Sequence, residues 1–251
     1  MFKKAIIGIK AAAVITAFAA LTVTAAADEK IGYGQGVIVD GDNRPVGATD
    51  AQEKYSALGG VFIGEQGEKR IYLTFDEGYE NGCTSDILNI LNAKGVSATF
   101  YITYDYAARN PELVARMAAE GHKIGNHTYS HPSLPDCTDE EFFDEVIRLE
   151  QYVYDNFGVK TETLRPPMGE FSTRTLTLAK EMGYKTVFWS FAYADWETDN
   201  QPNPAEAYKK ITAATHDGAI YLLHAVSKTN TAILGDVIDY WRARGYEITA
   251  I

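Results

Sequence analysis

The sequence predicts an α/β protein with about seven parallel strands, arranged as a barrel or as a wound sheet. From Ile71 onward, short apolar runs bounded by Gly, Asp or Pro alternate with longer segments that have helical period. This alternation is typical of βα units, in which helices cover a parallel sheet. The chain has 251 residues and is 46% hydrophobic and 23% charged, which favours one globular domain over a disordered or fibrous protein.

The predicted strands are short apolar runs, and the predicted helices are longer segments with apolar residues at helical spacing. The strands lie at residues 71–75, 98–102, 123–125, 163–165, 186–190, 220–223 and 246–249. The helices lie at residues 84–93, 111–119, 140–157, 173–181, 204–215 and 231–244. One helix has signals at both ends, since Thr138 and Glu141 have the spacing of a capping box and Gly158 stands where a C-terminal glycine is expected.

The N-terminal residues do not belong to this domain. Lys3 and Lys4 precede an apolar, alanine-rich run at residues 11–23, which ends in small residues before Asp28. This pattern predicts a secretory signal peptide over residues 1–27. The run is short for a membrane span, which needs ~20 apolar residues, although retention as an anchor is the alternative. We expect a secreted protein without stable membrane insertion, an extension at residues 28–68 packed on the domain, and the domain itself at 69–251.

Charge and cysteine content exclude several classes of partner and site. The net charge of −11 and the pI near 4.9 oppose non-specific attraction to nucleic acid or to anionic lipid surfaces. Cys83 and Cys137 either pair in an oxidising exterior or remain free, and two cysteines are too few for a disulfide framework. Neither cysteine has a partner at the spacing of a zinc finger.

Polar side chains follow several predicted strands, at the edge where βα proteins gather their catalytic groups. Asp76 and Glu77 follow the first strand and precede Gly78. Two such carboxyl groups either divide the work of a general base and a cation contact or simply form a turn. His127 and His131 follow the third strand, and the three residues between them allow two imidazoles to reach one divalent ion. A chance surface pair is the alternative.

The later strands are followed by a cation, an acid and a third histidine. Arg165 stands before Pro166 and Pro167, which fix the local backbone. Its guanidinium either keeps a carboxylate ionised or forms a surface salt bridge. Asp195 follows the fifth strand and His224 ends the sixth, so both are expected at the same edge. Alone, His224 would more often be a core histidine with a satisfied ring.

Taken in order, the segments TFDEG, HTYSH, RPPMG, ADW and LLH resemble the five motifs of polysaccharide deacetylases of the NodB-homology type, carbohydrate esterase family 4. The resemblance runs from about residue 70 to the end of the chain. The strings YGQG, YLTFDEGYENGCT, FWSFAYADW and LLHAVSKTN look most like the delta-lactam-biosynthetic de-N-acetylase branch. That branch deacetylates muramic acid in peptidoglycan.

The resemblance implies a distorted (β/α) barrel of about seven parallel strands and a hydrolase that acts on peptidoglycan glycan strands in the cell wall or spore cortex. The expected substrate is N-acetylmuramic acid. The alternatives are N-acetylglucosamine in peptidoglycan or a chitin-like polymer, and a catalytically silent glycan-binding domain. Against a silent domain, the chain keeps a complete set of the family's reacting residues, which are Asp76, Arg165, Asp195 and His224.

The resemblance also implies a role for each site residue. One divalent ion is expected, zinc first and cobalt or manganese as alternatives, held by His127, His131 and Glu77. Asp76 would act as general base, oriented and kept ionised by Arg165. His224 would protonate the leaving amine, with its pKa raised by Asp195. The expected substrate-binding residues are Met168, through its backbone N–H, and Trp196 and Leu222, which would enclose the acetyl methyl group.

Three positions depart from the family pattern. Glu77 stands where most members have Asp and the delta-lactam branch commonly has Asn, so it is either a direct ligand or a residue that orients one. Met168 replaces a tyrosine, but any residue except proline supplies the same backbone N–H. Ala192 stands where many members carry an acid or amide, so one polar contact is expected to be missing.

Overall fold

The structure, a computed structural model, describes residues 29–251, so the predicted signal peptide lies outside the described residues. Within this range the strands are β1 (Ile31–Gly32), β2 (Gly60–Val61), β3 (Arg70–Glu77), β4 (Thr99–Ile102), β5 (Lys123–Asn126), β6 (Thr163–Leu164), β7 (Glu170–Phe171), β8 (Lys185–Val187), β9 (Ala219–His224) and β10 (Glu247–Thr249). The helices are α1 (Val46–Tyr55), α2 (Thr84–Lys94), α3 (Tyr104–Arg109), α4 (Pro111–Ala119), α5 (Asp139–Phe157), α6 (Thr173–Glu181), α7 (Pro204–Ala213) and α8 (Lys228–Arg242). Each predicted strand and helix has a counterpart.

Eight strands form one parallel sheet in the order β10-β3-β4-β5-β6-β8-β2, with β9 on the other side of β3. Beyond β8 the chain turns back to β9, where Phe191 forms a parallel bridge with Tyr221. This bridge brings the two sides of the sheet together. The predicted distorted barrel is therefore confirmed, and the alternative of an open wound sheet is wrong.

The barrel separates two apolar layers. Residues Ile71, Leu73 and Phe75 belong to the large cluster that lies between the sheet and the surrounding helices. Their neighbours on β3 alternate to the other face, so that Tyr72 packs with the cluster inside the barrel. The same two-residue period directs Asp76 into the barrel mouth and Glu77 toward the outer layer, which decides the different surroundings of the two carboxyl groups.

Helix α5 has the ends that the sequence predicts. The Thr138 side chain accepts a hydrogen bond from the backbone of Glu141, whose carboxylate accepts one from the Thr138 N–H. Gly158 ends the helix with φ 67°, a left-handed conformation that glycine adopts without steric cost. With both ends capped in this way, helix α5 supports the loop that carries His127 and His131.

Residues 29–68 pack on the barrel and contain elements that the sequence did not predict. Strand β1 pairs antiparallel with β7, and β2 adds to the sheet beside β8. Helix α1 lies between β1 and β2 along the chain, and Phe62 stacks on Phe188 with ring centroids 4.2 Å apart. The cysteines Cys83 and Cys137 are both free. None of the helices within residues 29–251 has the length and hydrophobicity needed to cross a membrane.

Candidate active site

A cleft with two lobes opens at the carboxyl ends of the barrel strands. One lobe is a cavity of about 590 Å³ and the other a cavity of about 440 Å³. The residues that line both lobes are Asp76, His127, His131, Trp196 and His224. The predicted general base Asp76, the predicted acid His224 and the two predicted metal-binding histidines therefore lie in the middle of the cleft, with space on either side.

Asp76 and Arg165 form a buried ion pair beneath this cleft. The Arg165 side chain is 0% exposed, and its Nη1 donates to Asp76 Oδ1 at 2.8 Å and to Thr74 Oγ1 at 2.7 Å. Its remaining donors bind the carbonyl oxygens of Val187 and Phe188 at 3.2 and 3.0 Å. Because every edge of the guanidinium has a partner, Arg165 holds Asp76 in one orientation.

The charges around Asp76 determine its ionisation. Burial alone would raise the pKa of this carboxyl, but the positive charge of Arg165, with smaller contributions from His127 and His224, lowers the pKa below its usual value. Asp76 is therefore ionised at neutral pH, as a general base must be. Its second oxygen, Oδ2, lies 3.6 Å from His127 Nε2.

His127 and His131 lie on the loop after β5 with their rings close together. The ring centroids are 4.9 Å apart. His127 Nδ1 lies 2.8 Å from the carbonyl oxygen of Arg165, which fixes the N–H on Nδ1 and leaves the Nε2 lone pair facing the cleft. Thr128 and His131 have φ of 69° and 61°, left-handed conformations that cost energy outside glycine and often occur at functional loops.

Asp195 and His224 form the second pair. Asp195 is 1% exposed, and its Oδ1 accepts a hydrogen bond from His224 Nδ1 at 2.7 Å while its Oδ2 accepts one from the His224 backbone N–H at 2.9 Å. Burial would lower the pKa of His224, but the hydrogen bond and negative charge of Asp195 outweigh burial and raise it. His224 thus keeps a proton at higher pH than an ordinary histidine, with Nε2 free to deliver it.

Glu77 lies apart from these groups. Its side chain is 0% exposed, and neither carboxylate oxygen has a hydrogen-bond partner within the described residues. Burial raises the pKa of Glu77 well above its ordinary value, and the negative charges of Glu80 and Asp76 add to this effect. The structure therefore does not bring Glu77 to His127 and His131, because it occupies the opposite face of β3 from Asp76.

Two imidazoles in the cleft fit a divalent ion. Burial lowers the pKa of His127 to about 4, so its ring is neutral at pH 7, as a metal ligand must be. Its Nδ1 contact with a backbone carbonyl is the outer-sphere hydrogen bond that metal-binding histidines commonly make. Within residues 29–251, no group of three or more His, Cys, Asp and Glu side chains has the arrangement of a metal site. The residues that fit a divalent ion in this cleft are therefore His127 and His131.

The predicted substrate-binding residues all line the larger lobe. Met168 has φ 59° and a side chain that is 57% exposed at the rim. Trp196 packs edge-on against His224 with ring centroids 5.5 Å apart, and Leu222 is buried in the wall. Ala192 also lines this lobe, where its methyl group offers no polar contact.

Two parts of the site were not predicted. Residues 31–35, which we call the strap, cross the barrel mouth, and Gln35 lines the larger lobe. The Gln35 side chain accepts from Trp189 Nε1 at 2.9 Å and donates to the carbonyl of Ala192 at 3.2 Å. Asn230 on α8 donates to Asp195 at 2.6 Å. Gln35 and Asn230 lie within the quoted strings YGQG and LLHAVSKTN, but neither string indicates a role for them, and only the fold places them at the site.

A parallel barrel that holds an ionised carboxylate, a histidine–carboxylate pair and two neutral imidazoles in one cleft has the chemistry of a hydrolase. A family model described as polysaccharide deacetylase matches residues 63–187. The peptidoglycan-N-acetylmuramic acid deacetylase PdaA of Bacillus subtilis is 42% identical over 200 residues, which cover 79% of this chain and 75% of PdaA. The chain belongs to the polysaccharide deacetylase family, carbohydrate esterase family 4, and is a polysaccharide de-N-acetylase, so the resemblance seen in its five motifs is confirmed.

Solved structures agree with this assignment. The structure of B. subtilis PdaA, a family 4 carbohydrate esterase, is similar with a TM-score of 0.84 and 38% identity, covering 88% of this chain and 95% of that one. A family 4 carbohydrate esterase from Bacillus anthracis gives a TM-score of 0.72 at 38% identity, covering 88% of this chain and 94% of that one.

A second sequence relative acts on a different sugar. The peptidoglycan-N-acetylglucosamine deacetylase PgdA of Listeria monocytogenes is 34% identical over 183 residues, which cover 73% of this chain but 38% of PgdA.

Proposed function

We propose that this chain is a metal-dependent hydrolase that removes N-acetyl groups from N-acetylmuramic acid in peptidoglycan, as in muramic delta-lactam formation in the spore cortex. The observation that carries this proposal is that Asp76, paired with Arg165, and His224, paired with Asp195, line one cleft beside His127. One pair supplies an ionised base and the other a protonated acid, which is what amide hydrolysis requires.

We propose His127 and His131 as the protein ligands of the ion, with zinc as the expected metal and cobalt or manganese as alternatives. When bound, such an ion polarises the acetyl carbonyl and lowers the pKa of a coordinated water to about 7. The chain's own contribution is to hold both imidazoles neutral and to exclude bulk water from His127, which is buried. Glu77 would not contact this ion.

Asp76 would accept the proton of the attacking water. Its Oδ2 faces His127, while its Oδ1 is held by Arg165 at 2.8 Å, so only Oδ2 is available as base. Arg165 also keeps Asp76 ionised before the water arrives. The backbone N–H of Met168, held at the rim by the preceding prolines, would donate to the oxygen on which negative charge develops.

His224 would protonate the amine as the C–N bond breaks. Its Nδ1 is occupied by Asp195, so the proton is delivered from Nε2. The proton of the attacking water passes to Asp76 and a different proton leaves His224, which balances the hydrolysis of amide to acetate and amine. Trp196 and Leu222 would enclose the acetyl methyl group.

The choice of muramic acid is supported by the branch-like strings and by the similarity to PdaA. A second candidate, deacetylation of N-acetylglucosamine, is supported by the similarity to Listeria PgdA, because the same reacting groups would serve both sugars. We propose that the mature chain is secreted and acts in the cell wall or spore-cortex space.

The proposal is tested by acetate release from purified glycan strands with added zinc, with chelator, and with the variants Asp76→Asn and His127→Ala. We expect release that needs the metal and is lost in both variants, with His127→Ala also losing bound metal by elemental analysis. Tight glycan binding without acetate release under all conditions would instead establish the silent glycan-binding domain.

A further inference from the structure

Asp195 is held by more than its partner histidine. Its Oδ2 accepts a hydrogen bond from Asn230 Nδ2 at 2.6 Å in addition to the one from the His224 backbone. Asn230 is 1% exposed and lies in the first turn of α8, where its backbone N–H donates to the N-cap residue Ser227. The amide is therefore fixed by the helix start and directed at the carboxylate.

The orientation of this amide is unambiguous. Asn230 Nδ2 faces two groups that only accept, Asp195 Oδ2 and, at 3.3 Å, the carbonyl oxygen of His224. Asn230 Oδ1 faces the hydroxyl of Tyr193, which donates to it. A flipped amide would place an oxygen against two oxygens and would leave the Tyr193 hydroxyl facing an NH₂ group. The order of donors thus runs from Tyr193 through Asn230 to Asp195.

The same segment is braced on its other side. Gln201 donates to the backbone carbonyl of Asp195 at 3.2 Å, and its Oε1 accepts from the Ser227 hydroxyl at 2.7 Å. The loop that carries Asp195 is therefore tied twice to the start of α8. Tyr193, at the outer end of the donor chain, is part of the wall of the larger lobe.

We propose that Asn230 is a positioning residue for the proton donor. By donating to Asp195 Oδ2, it holds the other oxygen, Oδ1, on His224 Nδ1 and so fixes the direction of His224 Nε2 toward the cleft. It also connects this pair to the cavity wall through Tyr193. The inference rests on the proposed deacetylase function, in which His224 is the acid.

Three variants separate positioning from packing. Asn230→Ala removes the donor together with most of the side chain, and Asn230→Leu keeps the size of the side chain but has no hydrogen-bond donor or acceptor. Asn81→Ala is the matched control, because Asn81 donates at 3.0 Å to the carbonyl of Val226 in the same segment without contacting Asp195. Thermal unfolding monitors whether each variant is folded.

We expect both Asn230 variants to lower kcat by about 10- to 100-fold, the effect of losing a hydrogen bond to a charged group, with KM changed less than twofold. Asn81→Ala should leave kcat within threefold. Adding Tyr193→Phe to Asn230→Ala should lower kcat no further, because both act through the same amide. Full activity in Asn230→Leu would overturn the proposal, since filling the space would then be enough without the hydrogen-bond donor.

A second readout does not depend on turnover. The Nδ1 proton of His224, held by Asp195, should give a far-downfield ¹H NMR signal in the wild type that is lost or shifted in Asn230→Ala and kept in Asn81→Ala. If the wild type releases no acetate but the signal behaves in this way, the proposed function fails and the positioning role stands. An unchanged signal in both Asn230 variants would refute the positioning role.

Discussion

Replacing Asp195 with asparagine tests the electrostatic role of this residue. The substitution keeps the shape of the side chain but removes the negative charge 2.7 Å from His224 Nδ1. Two donors, the His224 N–H and Asn230 Nδ2, face the Oδ2 position of Asp195, so the new amide oxygen should turn toward them. Its NH₂ group would then face His224 Nδ1, which can accept that hydrogen bond only when the ring is neutral.

The size of the effect follows from the lost contact. A hydrogen bond to a charged group contributes about 1.5–3 kcal/mol, and one pKa unit corresponds to about 1.36 kcal/mol. We therefore expect the raised pKa of His224 to fall in the variant, by the equivalent of this lost contact. Because the acid must be protonated, activity in the wild type extends to higher pH and is lost as pH rises through the raised pKa.

The assay is the pH dependence of kcat for acetate release, measured on Asp195→Asn and on the control Asp199→Asn. Asp199 is an exposed acid of the same loop, so its variant makes the same change in net charge. The alkaline limb should move to lower pH by about one to two units in Asp195→Asn and stay in place in the control. An alkaline limb that does not move would refute the assignment of His224 as an acid tuned by Asp195.

Three further substitutions test other parts of the site. Arg165→Met leaves the negative charge of Asp76 buried without the positive charge that pairs with it. The free energy of unfolding in urea should therefore fall by about 3–5 kcal/mol. The acid limb of kcat should also move to higher pH, because the pKa of Asp76 rises. Glu77→Gln should leave the bound metal unchanged by elemental analysis. It should also remove Glu77's own contribution to the loss of stability as pH rises above 4.5, a contribution that follows from a carboxyl pKa raised in the folded state. Gln35→Ala removes the two hydrogen bonds made by the Gln35 side chain, so KM should rise by about 2- to 10-fold with little change in kcat.

Each of these three predictions has an outcome that would contradict it. Unchanged stability in Arg165→Met would mean that Asp76 does not depend on its arginine. Loss of metal in Glu77→Gln would show that Glu77 is a ligand, against its position on the outer face of β3. A fall in kcat rather than a rise in KM for Gln35→Ala would assign the strap to catalysis instead of to substrate binding.

Much of the barrel could be predicted because its strands are short apolar runs separated by helices of clear period. The predicted strand at 186–190 was too long, since β8 ends at Val187 and Ser190 instead donates its backbone N–H to Ile220 on β9. Apolar composition does not reveal that the chain stops pairing with β2 and β6 at this point and begins to pair with β9. The two-residue strands β1, β2 and β7 are absent from the prediction, and two residues are too few to show a period. Strand β6 is equally short and was predicted as an apolar run between two helices.

The site was predictable where residue types occur in recognisable spacings. His127, His131, Asp76 and His224 line one cleft as their order along the chain suggested, and Arg165 and Asp195 lie beneath it, bonded to Asp76 and His224. Sequence spacing alone does not show where Glu77 points. Adjacent residues on a strand direct their side chains to opposite faces, and spacing does not indicate where a strand ends. Only the structure shows β3 continuing through Glu77, paired with Ile102 on β4.

We propose that this cleft deacetylates muramic acid residues. The most direct measurement is mass spectrometry of defined glycan strands, with and without stem peptides, after incubation with the mature, zinc-supplemented chain. We predict loss of acetyl groups from muramic acid residues, none from glucosamine residues, and no loss with Asp76→Asn. Loss from glucosamine residues alone would contradict the substrate assignment, and intact strands under every condition would contradict the enzymatic account.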